Sequence, residues 1–107
     1  MEIRRYTSEQ EPLGRWAKAM GYPARIAIRN LLARQSCCCV RDIREVLPIA
    51  KATVSQHLKG LKEAGLIQGS IEPPKVRYCI NRENWAIARR LFADLFETCA
   101  PKTECCE

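Results

Sequence analysis

The sequence has few histidines and lacks the motifs on which many enzymes and structural zinc sites depend. It contains a single histidine, His57, and no C-x-x-C pair. A zinc finger of two cysteines and two histidines is therefore excluded, and no four cysteines have the usual spacing of a structural zinc site. There is also no glycine-rich phosphate loop and no cysteine–histidine pair with an orienting group. We therefore predict that the protein is not an enzyme.

Long apolar runs are also missing. No stretch of 18 apolar residues occurs, which predicts no membrane span. The N-terminal MEIRRYTSEQEP has no apolar core of a signal peptide, so a cytoplasmic location is expected. A chain of 107 residues is the length of one domain.

Basic residues are in excess. Eighteen lysines and arginines against twelve acidic residues give a net charge of +6 and a pI near 9.1. This sign favours a polyanionic partner such as DNA.

The stretch from Leu47 to Ile67 has the pattern of the second half of a helix-turn-helix. Ala50, Val54, Leu58 and Leu61 recur at helical spacing and predict one apolar stripe. Gly65 follows the last helical residue and is placed to stop the helix. The opposite face is predicted to be polar overall, with Ala52, Ser55, Gln56, Lys59 and Glu63 on it.

Two short runs of β-type residues come next, Leu66 to Ile71 and Val76 to Ile80, with Glu72 to Lys75 as the turn. Before them we predict a first helix capped by Ser8, a second from Pro23 and a short third from Arg41 to Leu47. A last helix capped by Asn81 follows the hairpin. The fold class is therefore mainly α with a small β-hairpin, in the order of a winged helix-turn-helix.

The segments DIREVLPIAKATVSQHLKGLKEAGLIQGS and RYCIN resemble the ArsR/SmtB family of small bacterial metalloregulatory repressors. The resemblance covers roughly residues 10 to 97. It implies a homodimer that binds operator DNA and leaves it when an effector binds. The broad apolar face of the last helix, which includes Trp85, Phe92, Leu95 and Phe96, is then expected to pair with the first helix across a two-fold axis.

Each candidate DNA contact follows from its side-chain chemistry. Short hydrogen-bonding and basic groups can contact base edges, whereas lysines and hydroxyls suit phosphates. Ser55, Gln56 and Lys59 are the groove candidates; Lys51, Thr53 and Lys62 are the phosphate candidates; Lys75 and Arg77 are the candidate wing contacts.

Seven cysteines are unusual in a chain of this length. Six lie in two clusters, Cys37 to Cys39 and Cys99 to Cys106, and stable disulfides are not expected in the cytosol. The seventh, Cys79, lies between Tyr78 and Ile80 on a predicted strand, where we expect it only to pack.

Thiolates are soft ligands and select soft metals or metalloids. Arsenic-responsive members of the resembled family often carry E-L-C-V-C-D-L before the third helix. Aligned on Asp42, Cys39 takes the first cysteine position, but Arg41 replaces the second. Other members recruit cysteines from the last helix and tail, which Cys99, Cys105 and Cys106 resemble. The predicted ligands of As(III) or Sb(III) are thus Cys39, Cys99, Cys105 and Cys106, with Cys37 and Cys38 as second choice.

This assignment divides the chain into a DNA-binding and dimerisation domain, residues 1–98, and a cysteine-containing tail, residues 99–107. The resulting function is a metalloid-responsive repressor, released from DNA when the thiolates bind As(III) or Sb(III). The alternative is a repressor of the same fold that responds to thiol oxidation by forming a disulfide.

Overall fold

The computed structural model describes residues 6–35, 37–72 and 75–99 and, within them, all side chains except those of residues 39, 71, 72 and 75. Five helices and a three-stranded sheet make up these ranges, as the sequence predicted apart from one strand. In chain order they are α1 (Gln10–Ala19), α2 (Pro23–Gln35), β1 (Cys37–Cys39), α3 (Val40–Val46), α4 (Lys51–Glu63), β2 (Ile67–Glu72), β3 (Lys75–Ile80) and α5 (Arg82–Glu97).

The helix starts are set by local side chains. Thr7 and Gln10 form a reciprocal pair before α1: the Thr7 hydroxyl accepts from the Gln10 amide at 3.0 Å, and the Gln10 side chain accepts from the Thr7 amide at 3.1 Å. The predicted cap, Ser8, was therefore wrong by one residue. Asn81 caps α5 as predicted, because its side chain accepts from the Asn84 amide at 3.1 Å.

The sheet contains a strand that the sequence pattern did not predict. The strand order is β1-β3-β2, both pairs are antiparallel, and Cys37 lies opposite Cys79. The cysteine run is thus an edge strand, not merely a break between two helices. Three residues are too few to show the alternation that identifies a strand, and the run is paired only through β3, some forty residues later.

The core lies between α2, α3, α4 and the sheet. Its fully buried side chains include Ile28 and Leu32 of α2, Ile43 of α3 and Leu58 of α4. Because one face of α4 packs into this core, its opposite face lies at the surface. The buried core also contains Trp16, Leu31, Val54, Leu61, Leu66, Ala88 and Leu91.

α5 leaves apolar surface uncovered in the single chain. Ala88 and Leu91 are buried, whereas Leu95 is 54% and Phe96 is 76% exposed. Among the described residues, no helix has both the length and the apolar character needed to cross a bilayer.

Candidate nucleic-acid interface and cysteine sites

The outer face of α4 consists of exposed polar side chains. Val54, Leu58 and Leu61 are buried, as the periodicity predicted, whereas Ala50 is exposed because it is the N-cap residue that precedes the helix. Ser55, Gln56 and Lys59 are exposed. Within the described part of the chain, these three side chains form no hydrogen bond or ion pair with protein groups. They are therefore available to an external partner. Lys51, Thr53 and Lys62 are exposed around the same helix.

The hairpin, or wing, lies beside the C-terminal half of this helix. A Cβ at Gly69 of β2 would lie 3.5 Å from the Lys62 ammonium nitrogen and 3.5 Å from the Tyr78 ring. The absence of a side chain at Gly69 thus allows Lys62 to lie against the wing. Arg77 is exposed on β3, whereas the Lys75 side chain lies outside the described residues.

The C-terminal end of α4 is fixed by its own backbone. Gly65 has φ of +84°, its amide bonds to the Lys62 carbonyl at 2.9 Å, and the Leu66 amide bonds to the Leu61 carbonyl at 3.0 Å. These two bonds make a Schellman motif, in which glycine supplies the left-handed residue. Leu61 and Leu66 are both buried, which adds the apolar contact typical of the motif.

α1 and α5, from opposite ends of the chain, both form hydrogen bonds to the C-terminal end of α4. The Trp16 indole of α1 donates to the Ala64 carbonyl at 2.7 Å, and the Asn84 side chain of α5 donates to the Gly65 carbonyl at 2.8 Å. A movement of α1 or α5 would therefore be transmitted to the C-terminal end of α4 through these hydrogen bonds.

His57 lies on the flank of α4 and contacts α2. Its Nδ1 accepts from Arg25 Nε at 3.1 Å, and its ring lies 5.5 Å from that of Tyr22. Desolvation, followed by the nearby positive charge of Arg25, lowers the pKa of His57 below 6.5. The neutral imidazole is therefore part of the α2–α4 contact. Arg25 also donates to the Ala19 carbonyl and stacks on Tyr22.

A disulfide joins Cys37 to Cys79. The β1–β3 register places their Cα atoms 4.3 Å apart, close to the separation of a non-hydrogen-bonded antiparallel pair. The expectation that Cys79 only packs is thus corrected, as is the expectation that disulfides are absent. This bond could be predicted only by knowing that β1 pairs with β3, and local periodicity does not reveal which strands are neighbours.

The remaining cysteines are spread widely. Cys38 is fully buried, and its thiol lies 3.2 Å from the Gln35 side-chain oxygen; Cys99 is exposed just beyond α5. The Cys39 side chain, Cys105 and Cys106 lie outside the described residues, so of the predicted metalloid ligands only Cys99 can be described. In the described ranges, no three histidine, cysteine or carboxylate side chains converge in a way that could hold a metal ion.

Comparison with known proteins identifies the helix-turn-helix. Residues 22–68, from the residue before α2 to the start of β2, match the sequence model of the family described as bacterial regulatory protein, arsR family. The match covers the helix-turn-helix and the residues that flank it. The HTH-type transcriptional repressor SmtB of Mycobacterium tuberculosis is 40% identical over 65 residues, which are 61% of this chain and 47% of that protein. The chain therefore spans about half the length of this curated relative.

Solved structures extend the likeness to the whole fold. One is the homodimeric winged helix-turn-helix DNA-binding domain of a possible ArsR-family transcriptional regulator from Mycobacterium bovis. It has a TM-score of 0.68 and 26% identity, with 90% of this chain and 86% of that chain covered. A possible transcriptional regulator for arsenical resistance has a TM-score of 0.71 at 24% identity, with 78% of this chain and 85% of that chain covered, and shows the fold alone. The winged helix-turn-helix predicted from sequence is confirmed.

Proposed function

We propose that the protein is a cytoplasmic transcriptional repressor that binds operator DNA as a homodimer. The observation that carries this proposal is the outer face of α4, on which Ser55, Gln56 and Lys59 are exposed and form no hydrogen bond or ion pair with protein groups in the described ranges. An α-helix fits the major groove, where short polar side chains contact base edges. Lys51, Thr53, Lys62, Lys75 and Arg77 are assigned to phosphates and the wing contact.

The dimer is supported by the surface that α5 leaves uncovered. Leu95 and Phe96 lie on the helix next to α1 and are more than half exposed. A second copy would remove this apolar surface from water. The Mycobacterium bovis neighbour is itself homodimeric. Two recognition helices related by a two-fold axis would occupy half-sites about one helical turn apart.

Gel-shift titration tests DNA binding directly. Gln56→Ala removes a groove-facing hydrogen-bonding group and should weaken specific binding by about 1–3 kcal/mol, with little effect on a scrambled duplex. Arg77→Ala should weaken binding to both duplexes and reduce the salt dependence. Gln68→Ala, an exposed glutamine of β2 outside the assigned contacts, is the control. Unchanged affinity of Gln56→Ala would show that another face of α4 contacts the bases.

We assign the effector to As(III) or Sb(III), held by thiolates of Cys39, Cys99, Cys105 and Cys106, with the tail 99–107 separate from the domain 1–98. The support is the family resemblance together with the exposure of Cys99 at the end of α5. A soft trivalent metalloid prefers thiolate ligands. Because α5 also bonds to the end of α4 through Asn84, a ligand at Cys99 is well placed to influence the recognition helix.

The effector assignment has its own test. A reduced double variant, Cys105→Ser with Cys106→Ser, should bind operator DNA normally but fail to dissociate when arsenite is added. Cys79→Ser should keep the response. Normal release from the double variant would remove the tail from the sensor and leave the Cys37–Cys39 cluster.

A second candidate function is favoured by the Cys37–Cys79 disulfide. Oxidation of the two thiols releases two protons and two electrons, which an azo oxidant such as diamide accepts. The bond would join the strand that precedes α3 to the wing and so restrict the DNA-binding module. If this is the switch, diamide alone should release operator DNA from the parent protein but not from Cys79→Ser. Arsenite would then have no effect on a fully reduced sample.

A further inference from the structure

A cleft of about 710 Å³ lies between α2, α5 and the end of β3. One part of its lining is apolar and the other is strongly basic. Arg29, Arg82 and Arg89 contribute three guanidinium groups, and none of the described lining residues is acidic. The apolar lining includes Leu32, Ile80, Trp85 and Phe92.

The basic groups lack protein anions. Arg82 and Arg89 form no ion pair with any carboxylate in the described ranges. Arg29 lies over the Trp85 ring, with its guanidinium carbon 4.8 Å from the ring centroid. Three uncompensated positive charges around one cleft favour an anionic occupant.

Two buried donors in the same cleft also lack acceptors. Arg29 Nε and Trp85 Nε1 are shielded from solvent and have no hydrogen-bond partner among the residues that the structure describes. Buried donors without an acceptor are costly and rare in native proteins, and they often mark the place of an absent ion or ligand. Both side chains line the cleft, so an anion bound there would lie next to the residues that carry these donors.

We infer that this cleft binds a small organic carboxylate with a flat apolar body. The carboxylate would pair with Arg29 and Arg89, and the body would lie along Trp85 and Phe92. The volume is in the range of small-molecule sites, and apolar walls with a few convergent polar groups are typical of them. A phosphodiester backbone fits less well, because it would leave the apolar wall uncovered. The proposed site shares no residue with the thiolate or DNA contacts proposed above, so it is a second ligand site. It does include Trp85 and Phe92, which the sequence assigned to the dimer contact; in the structure these two side chains pack against the core of their own chain, whereas Leu95 and Phe96 remain exposed.

Calorimetric titration of the full chain with naphthoate tests the inference, with the uncharged naphthamide as the matched ligand. We expect one naphthoate per chain and at least tenfold weaker binding of naphthamide. Arg29→Met and Arg89→Met should each weaken naphthoate binding about tenfold, since a hydrogen bond to a charged group contributes that much or more. Arg34→Met, an exposed arginine of α2 outside the cleft, should bind as the parent does.

Further controls separate occupancy from misfolding. Ala86→Phe should block binding by filling the cleft while all arginines remain, and circular dichroism should show a folded chain. Equal affinity for the two ligands, no naphthoate binding at millimolar concentration, or equal loss in Arg34→Met would each overturn the inference. So would a change from dimer to monomer in Arg29→Met and Arg89→Met, because the cleft would then be a subunit contact. No DNA is present in the titration, so failure of operator binding would leave this result unaffected.

Discussion

Replacement of Gly65 by alanine should destabilise the protein through two separate effects. The backbone φ of +84° is unfavourable for a residue with a side chain and costs about 1–2 kcal/mol. In addition, the new Cβ would lie 2.9 Å from the Asn84 side-chain nitrogen. If Asn84 withdraws, its hydrogen bond to the Gly65 carbonyl is lost, at about 0.5–1.5 kcal/mol. Alanine also restricts the unfolded chain, which returns about 0.4–1 kcal/mol. The net expected loss is about 2 kcal/mol.

Urea unfolding of the reduced protein, followed by far-ultraviolet circular dichroism, measures this loss. Gly14→Ala is the matched control, because Gly14 lies inside α1 and a Cβ there meets no atom within 4 Å. That change should stabilise the protein by about 1 kcal/mol through helix propensity. In an Asn84→Ala background, the cost of Gly65→Ala should fall to about 1 kcal/mol, the backbone part alone. A Gly65→Ala protein as stable as the parent, or an equal cost in both backgrounds, would refute the reasoning.

Three further predictions concern the supports of α4. Trp16→Phe should lower the free energy of unfolding by about 1–3 kcal/mol in the same urea assay, because it leaves the Ala64 carbonyl without its buried donor. The pKa of His57 is below 6.5 in the folded chain, so the unfolded chain binds more protons than the folded chain as the pH falls. The free energy of unfolding should therefore decrease as the pH falls below 6.5. His57→Asn should flatten this pH dependence of stability between about pH 7.5 and about pH 5. Gly60→Ala would place a Cβ 2.5 Å from the flexible end of Arg25; displacement of Arg25 should raise the pKa of His57 in an NMR titration, and an unchanged pKa would show that Arg25 stays in place.

The helices and the outer face of α4 were predictable from the sequence because their signals are local. Apolar spacing located α4, and Gly65 and Asn81 marked helix boundaries through their own backbone and side-chain chemistry. The β1 strand and the Cys37–Cys79 bond could not be predicted in this way, since each depends on a partner 42 positions away.

The candidate functional residues likewise separate into those that local sequence patterns predict and those that depend on the folded chain. Exposure of Ser55, Gln56 and Lys59 follows from helical periodicity, and the structure confirms it. The cleft that Arg29 and Arg89 line could not be predicted from the sequence, because the two residues belong to different helices and line one cleft only in the folded chain. The predicted thiolate ligands stay a prediction, because Cys105 and Cys106 lie outside the described residues.

The position of β1 at the edge of the sheet has a consequence for the order of folding. β2 and β3 are neighbours along the chain, so their pairing closes only a short loop. In the reduced chain, in which Cys37 and Cys79 are not bonded, the β1–β3 pairing must close a loop of about forty residues that includes α3 and α4, and loop-closure entropy makes such contacts slow to form. The wing hairpin should therefore assemble before β1 joins it, and mutations in β1 should affect the unfolding rate more than the folding rate.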